Sequence, residues 1–158
     1  MPLNDVLEAK VKLVGLDAAK RPVVILDCGE RVLPIWVGNF EAMAISSVLS
    51  GSTPPRPMTH DTAINIIRAF SSKLDRAVVH KLENNTFFAR LYVKRHDEET
   101  QHIKVVEIDC RPSDAIALSL RMEAPIFVSR AVLDAAGVKN LKVDRGSGDD
   151  AAPPEEEQ

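Results

Sequence analysis

Aromatic residues are scarce in this chain. Five phenylalanines, one tryptophan and one tyrosine make up 4% of its 158 residues. A core of the size this length allows must therefore be built from Val, Ile, Leu and Ala. Cysteine is scarcer still, with Cys28 and Cys110 alone. Two distant thiols exclude a C-x-x-C redox or zinc motif and read as reduced cysteines of a cytosolic protein. No apolar run approaches the roughly 20 residues that a bilayer requires. The opening "MPLNDVLEAK" lacks the charged-then-apolar order of a signal peptide. The expectation is a soluble, cytoplasmic protein with no membrane partner. Walker, G-x-G-x-x-G and G-x-S-x-G sequences are also missing, which removes the common phosphate-loop and nucleophile-elbow chemistries.

Strong charge is missing too, but the average conceals a split. The formal net charge is −3, and residues 144–158 carry six of the 23 acidic residues and one of the 20 basic ones. The remainder holds 19 basic and 17 acidic residues and is close to neutral. Like charge, proline and glycine without apolar periodicity predict a disordered acidic tail over residues 141–158 behind one domain spanning 1–140. The tail reads as solubilising, or more sharply as a mimic of nucleic acid.

Period-two patterning comes first along the chain. Val6 to Leu16 alternates as a strand, and Val23–Leu26 and Val32–Val37 flank Asp27-Cys28-Gly29-Glu30 as a hairpin. The period then lengthens. Phe40 to Leu49 reads as a helix capped by Asn39, and Thr59 caps a second helix reaching about Ser71. Between them "SGSTPPRP" is irregular. Three strands follow in "RAVVHKL", "TFFARLYVK" and "HIKVVEIDC", the first two forming an antiparallel pair. A third helix runs from Pro112 to Arg121, proline serving its first turn. It is apolar on most sides, so it should be deeply buried. "APIFVS" is a short strand, and "RAVLDAAG" a last helix. The order predicts an α+β domain with a largely antiparallel β-sheet packed with three to four α-helices.

Two polar groups invite chemistry. "RPMTHDT" places Arg56, His60 and Asp61 at a helix start, where N–H donors and the macrodipole favour an anion. "DCRPSD" places Asp109, Arg111, Ser113 and Asp114 at a strand-to-helix junction. Asp109 and Asp114 could hold a hard cation such as Mg²⁺, and Arg111 could take a phosphate. Each arrangement has an ordinary alternative. Asp61 and Asp114 also stabilise helix starts without any ligand, and an Asp–Arg pair can simply lock a turn. Glu41 is a third acid in a first turn. If the three helix starts converge, three carboxylates meet.

"LPIWVGNFEAMAI", "PPRPMTHDTAINII" and "VEIDCRPSDAIALSLRMEAPIFVS", in this order and spacing, resemble the bifunctional nuclease family over roughly residues 3–138. The resemblance implies a family-specific single-domain fold, a homodimer, and hydrolysis of DNA and RNA phosphodiester bonds with little sequence preference. Carried onto these positions, it makes His60, Asp61, Asp109, Asp114 and Glu41 catalytic candidates. Arg56, Arg111 and Ser113 become phosphate-binding candidates. In a mechanism of this kind, Asp61, Asp109 and Asp114 would hold Mg or Mn to activate water, the arginines would offset charge on the phosphate, and His60 would move the proton. Two other readings stand beside it: a non-catalytic nucleic-acid- or protein-binding regulatory module, and an enzyme acting on a small phosphorylated metabolite.

Overall fold

A computed structural model describes residues 5–139. The expected acidic tail lies outside the described residues. The chain forms an α+β domain of eight strands and four helices: β1 (Val6–Leu16), β2 (Pro22–Asp27), β3 (Arg31–Trp36), α1 (Asn39–Leu49), α2 (Thr59–Ala69), β4 (Ser72–Glu83), β5 (Thr86–His96), β6 (Ile103–Cys110), α3 (Pro112–Met122), β7 (Ile126–Ser129), α4 (Arg130–Ala136) and β8 (Val138–Lys139). The strands lie in the order β6-β5-β4-β7-β1-β2-β3-β8. Every pairing is antiparallel except β4 with β7. The short β8, which pairs Val138 with Val32, was not evident from its two-residue sequence.

Local physics explains the joints. The β2–β3 turn places Gly29 at φ 97°, a left-handed conformation that glycine adopts without a Cβ penalty. Asp27 accepts the Gly29 N–H at 2.9 Å and tightens that turn. The β4–β5 hairpin turns on Asn84 and Asn85, both left-handed, as the type I′ geometry of a two-residue connection requires. Pro112 occupies the first turn of α3, where its missing N–H costs nothing.

The expected helix caps are each displaced by one residue. Gly38 and Met58, not Asn39 and Thr59, precede α1 and α2, and neither helix has a side-chain cap from its own N-cap residue. At α2 the Asp61 carboxylate reaches back instead and accepts the Met58 N–H at 2.8 Å. A first-turn acid thus satisfies the N–H of the N-cap residue, the reciprocal half of a capping box.

The core is aliphatic, as the shortage of aromatics requires. Val24, Leu26, Leu33, Ile35, Ile45, Val79, Ile116, Val128 and Leu133 are all buried to 2% exposure or less. Helix α3 lies across β4, β5 and β7, with α1 and α2 on its flanks. Its residues Ala115 to Ser119 are all buried. Strand β6 is the opposite case. It sits at the sheet edge, and none of its eight residues is buried.

Candidate functional site

Two strand-to-helix joints, β3 into α1 and β6 into α3, meet the start of α2. Arg111, the single residue between β6 and α3, is the hub. Its Nε and Nη2 donate to the two oxygens of Asp114 at 3.0 and 3.1 Å. Its Nη1 donates to Glu41 Oε1 of α1 at 2.9 Å. On the other side of Asp114, the His60 Nε2 of α2 lies 3.1 Å from Oδ1. The three helix starts therefore do converge. What joins them is a cation and an imidazole shared among carboxylates.

The charge states follow from these partners. Burial pushes Asp114 upward, but hydrogen bonds from Arg111 and His60 outweigh it and hold the carboxyl below its usual range. Glu41 is lowered chiefly by its hydrogen bond from Arg111. Arg111 is raised in turn, first by Asp114 and then by Glu41. All three are ionised near neutral pH. Gly38 matters here for space: the Glu41 carboxylate folds over the position where a Cβ on residue 38 would stand.

Asp61 belongs to a neighbouring pair. It accepts from Arg121 Nε at 2.9 Å, and Arg121 turns back along α3 to donate to the Ala117 carbonyl at 2.9 Å. The Arg121 side chain is only 9% exposed, so it depends on these partners. Asp61 is lowered first by the Met58 N–H and next by Arg121. Arg121 was not among the sequence candidates. Its one signal was a cation on an otherwise apolar helix, which also fits simple pairing with the helix dipole.

The remaining candidates divide. Ser113 is buried in the first turn of α3 and lines a cleft beside Arg111. Arg56 is exposed in the loop before α2 and lines neither of the clefts described below. Asp109 is separated from the group by strand alternation. Cys110 pairs with Ala89, a core residue, whereas Asp109 pairs with Arg90 on the opposite face of the sheet. The grouping of Asp109 with Asp114 does not form.

This bears on a metal. Among the described residues, no three His, Cys, Asp or Glu side chains come together as a group able to hold one. Asp61 is committed to Arg121, Asp114 to Arg111 and His60, and Asp109 lies apart. That donor set does not fit a resident divalent ion. The thiols are poor nucleophiles: burial pushes Cys28 up to about 11 and Cys110 up to about 12. Both are free.

Two clefts share Arg111 and Glu41 on their walls. One, of about 510 Å³, continues past Arg21, Trp36, Thr86 and Ser113. The other, of about 520 Å³, continues past Phe40, Met43, Met58, His60 and Arg121.

The family model of the bifunctional nuclease domain matches residues 23–140, which includes every one of these groups except Arg21. The chain belongs to the bifunctional nuclease domain family. An uncharacterized protein of Mycobacterium tuberculosis is 37% identical over 134 residues, covering 82% of this chain and 76% of that protein. A protein named bifunctional nuclease 1 in Oryza sativa is 26% identical over 132 residues, covering 78% of this chain and 37% of the plant protein. The Arabidopsis thaliana protein of that name is 22% identical, with 80% and 39% covered. The match thus spans little more than a third of the plant proteins. In this family member, no helix among the described residues is long and apolar enough to cross a membrane.

Proposed function

We propose that this bifunctional nuclease domain hydrolyses phosphodiester bonds of DNA and RNA at the Arg111–Asp114–His60 group. The carrying observation is that Asp114 holds a histidine and an arginine at once, with Arg111 on the wall of both clefts and His60 on the wall of one. Three of the five Arg111 N–H groups are used by Asp114 and Glu41, and its side chain is 62% exposed. Two N–H groups are left for the non-bridging oxygens of a phosphate, where charge builds in the transition state. With its Nε2 proton directed at Asp114, His60 keeps the other ring nitrogen as a base for water. Water adds to phosphorus, one P–O bond breaks, and the products are a phosphomonoester end and a hydroxyl end. Asp114 fixes the tautomer of His60 and offsets the charge that the ring acquires. Glu41 and Asp61 support this geometry: Glu41 orients Arg111, and Asp61 holds Arg121 beside the cleft, while Ser113 lines the other cleft next to Arg111.

The working unit is proposed to be a homodimer built on β6. Among the described residues its outer edge is unpaired, and Ile103, Val105, Val106 and Ile108 are each more than 40% exposed. An open strand edge with apolar residues on both faces suits a second copy of the same edge.

The test is cleavage of single-stranded RNA and double-stranded DNA with Mg²⁺, with Mn²⁺ and with chelator, beside His60→Gln and Arg111→Leu. Loss of about 10²- to 10⁴-fold in His60→Gln, with folding intact, is the expected result. The metal arms decide whether either ion takes part. The complete pairing of each carboxylate favours one competitor, a binding module without catalysis. Nucleic-acid binding with no cutting under any arm would establish that reading instead.

A further inference from the structure

The nuclease reading leaves open which form of nucleic acid the site takes. The surroundings of Arg111 bear on that choice. Four carboxylates, Asp17, Glu41, Asp61 and Asp114, stand among the arginines Arg21, Arg111 and Arg121 that line the clefts, each arginine paired with at least one of them. A site so balanced cannot grip a duplex through its phosphates, because that affinity comes from unneutralised cations. What the site presents instead is aromatic surface.

The chain's single tryptophan lines one cleft. Trp36 is 50% exposed, yet its indole N–H donates to Asp17 Oδ2 at 2.9 Å and Arg21 lies 5.9 Å from the ring centroid. The ring is therefore held in one orientation with half its surface open. Phe40 lines the other cleft from the first turn of α1. At 84% it is the most exposed large hydrophobic residue among those described. In a chain with seven aromatics, two exposed rings line the two clefts that share Arg111, which has two N–H groups unused by Asp114 and Glu41. Each is an apolar face that folding has left wet, in a cleft of ligand size.

We propose that the site takes unpaired nucleotides, with Trp36 and Phe40 as base-stacking platforms on either side of the phosphate held at Arg111. This rests on the nuclease reading. Base faces are hidden in a duplex and available in a single strand, so stacking selects the single strand without reading its sequence. The two clefts share only Arg111 and Glu41 and otherwise have separate walls, so bases seated one in each are splayed rather than stacked on each other. Splaying exposes the phosphate between them to the group that acts on it.

The test is fluorescence anisotropy of a labelled oligothymidylate of about 12 nucleotides and a duplex of equal length, in chelator to suppress turnover. The wild type is compared with Phe40→Leu, Phe40→Tyr, Trp36→Leu and Trp36→Phe, and cleavage by each variant is measured in parallel. The single strand is expected to bind more tightly than the duplex, with a shallow salt dependence. Phe40→Leu and Trp36→Leu should each weaken it about 5- to 150-fold, while the ring-preserving variants retain it. Phe40 carries the test alone if Trp36→Leu fails to fold. Equal binding of strand and duplex, or unchanged affinity in Phe40→Leu, overturns the inference. If such a protein still cuts, the nuclease reading stands without it. Absence of both binding and cutting removes both.

Discussion

Strand β6 and helix α3 are neighbours in sequence, separated by Arg111 alone, and they have opposite fates. "IKVVEIDC" carries four large aliphatic residues and buries none of its eight positions. "PSDAIALSLRM" is no more apolar, yet seven of its eleven residues are buried, two serines among them. Hydropathy does not separate the two segments; place in the sheet does. Among the described residues β6 is last in the strand order, with a partner on one edge only, while α3 lies over the sheet centre between α1 and α2. The polar end of α3 is gathered into a charged network by the same docking that buries its middle. The acids of β6 are not.

Asp109 and Asp114 give the sharpest test of that contrast, five residues apart in one motif. Asp114→Asn is expected to reduce cleavage about 10²- to 10⁴-fold, because His60 loses the partner that sets its tautomer. Asp109→Asn should stay within roughly twofold of wild type, as an exposed residue outside the network. Rates on single-stranded RNA decide, and a dead Asp109→Asn would break the comparison.

Packing supplies the next largest effect. Ile116 in α3 is fully buried, and Ile116→Ala should cost about 2–5 kcal/mol in chemical denaturation. Ile108 in β6 is 41% exposed, and Ile108→Ala should cost less than about 1 kcal/mol at low protein concentration. Its larger consequence is a lower average mass in sedimentation, since the proposed dimer contact lies there. A monomeric wild type, or equal costs at the two positions, would show that β6 is not an interface.

Acid sensitivity is the smallest effect. Glu41, Asp61 and Asp114 all have folded values below their ordinary ones. Their contribution to stability is complete above the ordinary carboxylate range, roughly pH 4, and is lost as pH falls through the lower folded values. Arg111→Leu removes bonds to two of these acids, so its Tm should fall less steeply on acidification than that of the wild type. Parallel curves would mean that Arg111 contributes nothing to the folded state's carboxylates.

Much of this was legible without coordinates. Alternation marked the long strands, Gly29 marked a turn, and the unbroken apolar run of α3 marked burial. The two motifs that seemed polar for a reason do meet. The sequence could not say which members meet, because alternation places Asp109 and Cys110 on opposite faces without telling which face carries the helices.

By itself, then, the sequence determined the element types, since side-chain period reports strand and helix directly, and it determined that three acids would stand in three first turns. Only the tertiary structure decided that Glu41 and Asp114 share Arg111, that His60 finds Asp114 from 54 residues away, and that Asp61 is held by Arg121 from 60. Such bonds depend on how α1, α2 and α3 dock on one sheet. Helical period sets which way a side chain points from its own axis, and no local pattern sets where a neighbouring axis will lie.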